Sequence, residues 1–182
     1  MSTINALNQF IHRLEDPSLT TLKKLRHNNI RPEVMMCYYY NKSCLIALDK
    51  RWKVWTFPQG GINEGENARQ ALERETKEEL GTTFFEHIAQ PQKYELIGNG
   101  NISAIPNPDH KDIDKRNLIG KHFFIYAVAM ETPCNVIRSE ELTGFRWETY
   151  HEMLKYIERV ESLQKKKMMM KVLEIMRNKG YI

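Results

Sequence analysis

The stretch GGINEGENARQALERETKEELGT, Gly60 to Thr82, decides the reading of this chain. Asn67 can cap a helix, the residues from Ala68 to Leu80 are mostly good helix formers, and Gly81 suits a C-terminal stop. Gly60, Gly61 and Gly65 make the preceding segment a loop. At about 100° per residue, Ala68, Ala71, Leu72 and Thr76 share one side with Glu75, Glu78 and Glu79, and Arg69, Gln70, Glu73 and Lys77 take the other. Three carboxylates on an inward side are costly unless a cation sits among them, because desolvation and mutual repulsion both oppose ionisation. Hard oxygen donors at i, i+3 and i+4 suit Mg²⁺ or Mn²⁺. The competing reading is a surface helix whose glutamates are solvated, as Glu runs usually are. The phase of the stripe argues against it.

The same residues resemble the Nudix box, G-x5-E-x7-R-E-U-x-E-E-x-G-U, with Gly60, Glu66, Arg74, Glu75, Glu78, Glu79 and Gly81 in register. Thr76 and Thr82 depart from it, standing where the pattern prefers a larger aliphatic residue, which should weaken packing slightly. The resemblance implies an α+β fold, an α/β/α sandwich with a mixed sheet between helices. It also implies a hydrolase that uses divalent metal and water to cleave a nucleoside diphosphate linked to another group. By position, Glu75, Glu78 and Glu79 are implied metal ligands, the backbone around Gln59 and Gly60 approaches the same ion, and Glu66 and Arg74 form a supporting pair.

A narrower resemblance surrounds the box. Trp55 to Ile62, WTFPQGGI, is similar to the WQFPQGGI segment of bacterial RNA pyrophosphohydrolases and asymmetric dinucleoside tetraphosphate hydrolases. Ile30-Arg31-Pro32-Glu33-Val34 resembles the YRPNVG segment that begins the core of that subgroup, and Glu141 to Trp147 resembles its EFDGWRW segment. The last match makes Glu141 a candidate further ligand or general base, with Glu140 as the competing choice. Arg31, Lys50, Arg51 and Lys121 are candidate phosphate contacts. The subgroup's Arg-Arg pair is replaced here by Leu48-Asp49-Lys50-Arg51, and its GQKQKWF stretch by Gly120-Lys121-His122-Phe123-Phe124. Dinucleoside polyphosphates and the 5′-triphosphate end of RNA are therefore both implied substrates. Nucleoside triphosphates and nucleotide sugars are the alternative, and a non-catalytic nucleotide-sensing protein is the alternative of another class.

At 182 residues the chain suits one domain with modest extensions. The expected organisation is a helical extension over 1–29, with Ile4, Leu7, Ile11 and Leu14 at helical spacing, a core over 30–150, and a basic helical segment over 151–182. Strands are expected at Val34 to Tyr40, Cys44 to Leu48, near Tyr94 to Gly98 and from His122 to Met130, with Asn41-Lys42-Ser43 as a tight connection. Alternation on the last of these divides Phe123 from Phe124, so only one can face a cleft. Residues 99 to 117 are expected to form a loop. Its Asp109, His110, Asp112 and Asp114 read better as turn formers and solvated acids than as a second metal site.

Cys37, Cys44 and Cys134 form no metal-like cluster, and Cys37 and Cys44 read as small core residues. Neither a long apolar stretch nor a signal-peptide pattern opens the chain, so a soluble cytoplasmic protein without a membrane partner is expected. From His151 onward eight Lys or Arg face four Glu, so this segment accounts for the chain's whole net charge of +4. A helix packed on the domain with solvated lysines is preferred over a nucleic-acid-binding tail around Lys165-Lys166-Lys167. Three consecutive methionines, Met168 to Met170, cannot all face one side of that helix. The sequence leaves the oligomeric state open.

Overall fold

The computed structural model describes residues 14–50, 53–88, 94–104, 117–134 and 142–182. Seven strands form one mixed sheet: β1 (Ile30–Tyr40), β2 (Ser43–Asp49), β3 (Trp55–Thr56), β4 (Gln59–Gly61), β5 (Tyr94–Ser103), β6 (Gly120–Ala129) and β7 (Leu142–Thr149). Its spine runs β3-β2-β1-β6-β5, with β4 also paired to β1 and β7 to β2. β1 and β6 run parallel, and every other pairing is antiparallel. The turn between β1 and β2 is made by Asn41 and Lys42, both at positive φ, which matches the right-handed twist of a hairpin.

The central strands are buried on both sides, and their alternation sorts side chains into two cores. Val34, Met36 and Tyr38 of β1 join Phe124, Tyr126 and Val128 of β6 on one face. That face is covered by α1 (Leu19–His27), α2 (Ala68–Glu79) and α3 (Thr82–Glu86), through Leu22, Ala71, Leu72 and Phe84. Met35 and Cys37 join Phe123, Ile125 and Ala127 on the other face. There α4 (Tyr150–Glu158) and α5 (Leu163–Asn178) pack through Met153, Ile157, Met168, Met169, Val172, Leu173 and Met176. This is the helix, sheet, helix layering expected. Cys37 and Cys44 are buried core residues on strands. Among the described residues, no helix is long and apolar enough to cross a membrane.

Several expectations need adjusting. β1 begins at Ile30 rather than Val34, because it pairs with β6 over ten consecutive positions from Ile30↔Gly120. β5 continues to Ser103, taking Asn99 to Ser103 out of the expected loop. A register shift between Leu96 and Gly98 lets the polar residues keep pairing with β6 as far as Gly120. The helical spacing at Ile4, Leu7 and Ile11 lies outside the described residues, as do Asp109, His110, Asp112 and Asp114. Of the three methionines, Met168 and Met169 are buried and Met170 is half-buried.

Candidate active site

α2 forms where the sequence places it. The Asn67 side chain accepts from the Gln70 N–H while the Gln70 side chain accepts from the Asn67 N–H, a reciprocal capping box, and Gly81 at φ 95° turns the chain away beyond it. Ala68, Ala71, Leu72 and Thr76 pack against the sheet. The Thr76 hydroxyl donates to the Leu72 carbonyl at 2.6 Å and meets the Tyr38 hydroxyl at 2.6 Å, so the polar residue that departs from the aliphatic pattern is satisfied in the core. The carboxylates split. Glu79 is buried, Glu75 is half-buried, and Glu78 has a side chain 59% exposed. Glu78 therefore does not share the buried stripe as expected. It lies at the margin beside exposed Lys77, reaching Arg74 across one turn at 2.9 Å.

Arg74 organises the loop and the helix together. Its guanidinium makes two bonds of 3.0 Å to the two Glu66 oxygens, donates to the Gly61 carbonyl at 2.7 Å, and pairs with Glu75 at 2.7 Å. Burial opposes ionisation of Glu66, but the Arg74 and Asn63 N–H bonds and the Arg74 charge outweigh it and hold this carboxyl below the ordinary glutamate value. At Glu75 burial wins and pushes the carboxyl up, with Arg74 only partly offsetting it.

β4 brings backbone to these acids. It pairs with β1 in the register Glu33↔Gly61, Val34↔Gly60 and Met35↔Gln59. Gly60 lies so close to Glu75 that a Cβ there would fall within its carboxylate, and a Cβ on Gly61 would meet the Arg31 guanidinium. The Gln59 side-chain oxygen is buried with no hydrogen-bond partner among the described residues. Among the described residues no three acids are gathered tightly enough to hold an ion, since Glu75 and Glu78 each give an oxygen to Arg74. The available donors of Glu75, Glu78 and Glu79 are nevertheless all hard oxygens, the donor type that suits a divalent cation such as Mg²⁺ or Mn²⁺.

These groups line a cleft of about 1280 Å³. Cations line the same cleft, and the parallel β1–β6 register explains how two of them are brought together. It sets Arg31 directly across from Lys121, and Phe123 across from Glu33. Glu33 is 2% exposed, and one of its oxygens meets Lys121 at 2.8 Å and Arg31 at 3.4 Å. Lys50 also lines the cleft, as do Lys53 and Lys165. Phe123, and not Phe124, reaches it. Arg51, Glu140 and Glu141 lie outside the described residues.

Sequence reasoning missed Glu33 and the placement of Lys165. The signals existed: Glu33 interrupts an apolar strand, and Lys165 precedes Met168, Met169, Val172 and Met176 on the buried stripe of α5.

The NUDIX domain family matches residues 30–169. The chain belongs to the Nudix family. A curated relative from Campylobacter jejuni subsp. doylei, named RNA pyrophosphohydrolase, is 32% identical over 162 residues, covering 85% of this chain and 97% of the relative. A protein of the same name from Helicobacter pylori (strain G27) is 41% identical over 70 residues, covering 35% of this chain and 45% of its own length. Among solved structures, a C. elegans Ap4A hydrolase binary complex superposes with a TM-score of 0.59 at 18% identity, covering 83% of this Nudix chain and 98% of that one. The E. coli dihydroneopterin triphosphate pyrophosphohydrolase gives 0.60 at 14% identity, covering 80% and 97%. At such identities these structures establish a shared fold.

Proposed function

We propose that this Nudix protein is a divalent-metal-dependent pyrophosphohydrolase that cleaves a phosphate anhydride at the 5′-triphosphate end of RNA. The observation that carries this reading is the shared cleft, lined both by hard oxygen donors of α2 and by the cations of β1 and β6. The relative matched along nearly its whole length, named for that activity, supports the RNA end in particular.

A divalent cation supplies charge neutralisation at the phosphate oxygens. Glu75, Glu78 and Glu79, with Gln59 and the Gly60 backbone, are the groups that would hold it. Arg31 and Lys121, which line the same cleft, contact the phosphates, with Lys50 and Arg51 as further candidates. Glu33 keeps Arg31 and Lys121 in place while the cleft is empty of substrate. The proton of the attacking water goes to a carboxylate, Glu79 or Glu141. Arg74 and Glu66 fix the loop against the helix so that Gly60 and Glu75 stay in contact.

A dinucleoside polyphosphate is the second reading, because it presents the same phosphate chain. The deciding experiment is a product assay with Mg²⁺ across 5′-triphosphorylated RNA, diadenosine tetraphosphate, nucleoside triphosphates and nucleotide sugars. Turnover highest on the RNA is expected. Preference for diadenosine tetraphosphate would install the second reading, and metal binding with no turnover on any substrate would favour a sensing protein.

A further inference from the structure

The three lysines that open α5 have three different environments. Lys166 donates to the Glu158 carbonyl at 2.7 Å, closing the bend between α4 and α5. Lys167 is exposed. Lys165 alone of the three lines the cleft, and it is half-buried. Its position is fixed from both sides in sequence: Ser162 caps the helix by accepting from the Lys165 N–H, and the Gln164 side-chain oxygen accepts from the Ser103 N–H at 2.9 Å, tying the first turn to the end of β5.

The charges around Lys165 do not balance locally. Glu33 is committed to Arg31 and Lys121, and Lys165 makes no ion pair among the described residues. Burial outweighs the attraction of Asp49 and Glu33, and Lys121 adds repulsion, so the ammonium is easier to deprotonate than an ordinary lysine. Partly desolvating an unpaired ammonium beside the Lys121 charge is unfavourable, unless an anion arrives to share the two. A phosphoryl group can accept from several donors at once.

We propose that Lys165, carried by the C-terminal helix, completes with Arg31 and Lys121 a subsite for a phosphoryl group of the substrate in the cleft that Glu75 and Glu79 also line. This deepens the function proposed above and rests on it for the nature of the substrate. The phosphoryl group could belong to the anhydride chain or to the following phosphodiester, and two probes separate these sources.

The test measures binding by calorimetry in Mg²⁺, with inorganic tripolyphosphate as one probe and a 5′-hydroxyl oligoribonucleotide as the other. Lys165→Met should raise Kd for at least one probe by about tenfold, as expected for losing one charge-assisted contact. Lys165→Arg should stay within about threefold of the wild type and Lys167→Met within about twofold. A loss confined to tripolyphosphate assigns the subsite to the anhydride chain, and a loss confined to the oligonucleotide assigns it to the phosphodiester. Equal losses for Lys165→Met and Lys167→Met would show only general attraction and overturn the proposal, as would unchanged Kd values or no wild-type binding of either probe. Lys165→Gln serves if the methionine variant fails to fold. Since the readout is binding, a wild type that binds tripolyphosphate but hydrolyses nothing would refute the enzymatic reading and leave this subsite standing.

Discussion

The Glu75 carboxylate rests against the α-carbon of Gly60, with no room between them for even a methyl group. Gly60 is glycine here because of what stands over it, and its backbone conformation makes no such demand. Gly60→Ala should force the Glu75 carboxylate off this contact. The expected result is a fall in kcat on the order of 100-fold with a small loss of Tm, followed by steady-state kinetics and thermal melts. Near-wild-type kcat would mean that the contact is incidental to chemistry.

Glu75→Gln and Glu79→Gln should each lower kcat by about 100-fold or more at saturating Mg²⁺, and weaken Mn²⁺ binding in a direct titration. Glu78 is largely exposed and reaches Arg74, so Glu78→Gln should cost less than either. A larger effect at Glu78 would mean that it turns inward when the ion binds.

Arg74 holds Glu66, Glu75 and the Gly61 carbonyl at once. Arg74→Lys keeps the charge but cannot reproduce the fork. Urea unfolding should show a loss of about 2 kcal/mol, because several charge-assisted bonds go together. A loss below about 0.5 kcal/mol would place the strength of the loop elsewhere.

Glu66 also sets a pH dependence. Its carboxyl is held below the ordinary value of 4.5 in the folded state, so the folded form releases its proton more readily than the unfolded chain. The resulting stability is fully present above 4.5 and is lost as pH falls through the lowered folded value. Wild type should therefore exceed Glu66→Gln in unfolding free energy at pH 6, and the gap should narrow steadily towards pH 3. A constant gap would mean that the Glu66 charge is not what stabilises the loop.

Thr76 and Tyr38 offer a test free of the metal question. Thr76→Val leaves the buried Tyr38 hydroxyl, among the described residues, with only the Met36 sulfur at 3.2 Å, and should cost about 1–2 kcal/mol. Adding Tyr38→Phe should recover part of that loss. Additive losses in this double-mutant cycle would show that the hydroxyls are not coupled.

What the sequence made legible was local. The cap at Asn67, the apolar stripe of α2 and the turn at Asn41-Lys42 all depend on neighbours within a few residues, and the structure reproduces each. Pattern also brought Glu66 to Arg74, eight residues apart. The relationships that escaped are distant in sequence. Tyr38 and Thr76 meet across 38 residues, and Glu33 meets Lys121 only because β1 and β6 run parallel in one particular register. Glu78 lines the cleft with Glu75 and Glu79 but is largely exposed, which a helical wheel does not foresee, because it gives the angle of a residue and not where the opposing surface ends.

Arg26, on α1, donates to the carbonyls of Ile62 and Asn63 at 2.6 and 2.8 Å, and Leu22 of the same helix is fully buried in the core. The loop that presents Gly60 and Gly61 is thus braced by a side chain upstream of residue 30, where the family match begins. A fragment cut at that boundary would keep every residue of the signature and lose the strut beneath it. Recombinant cores of this protein should begin no later than Ser18, the residue that caps α1.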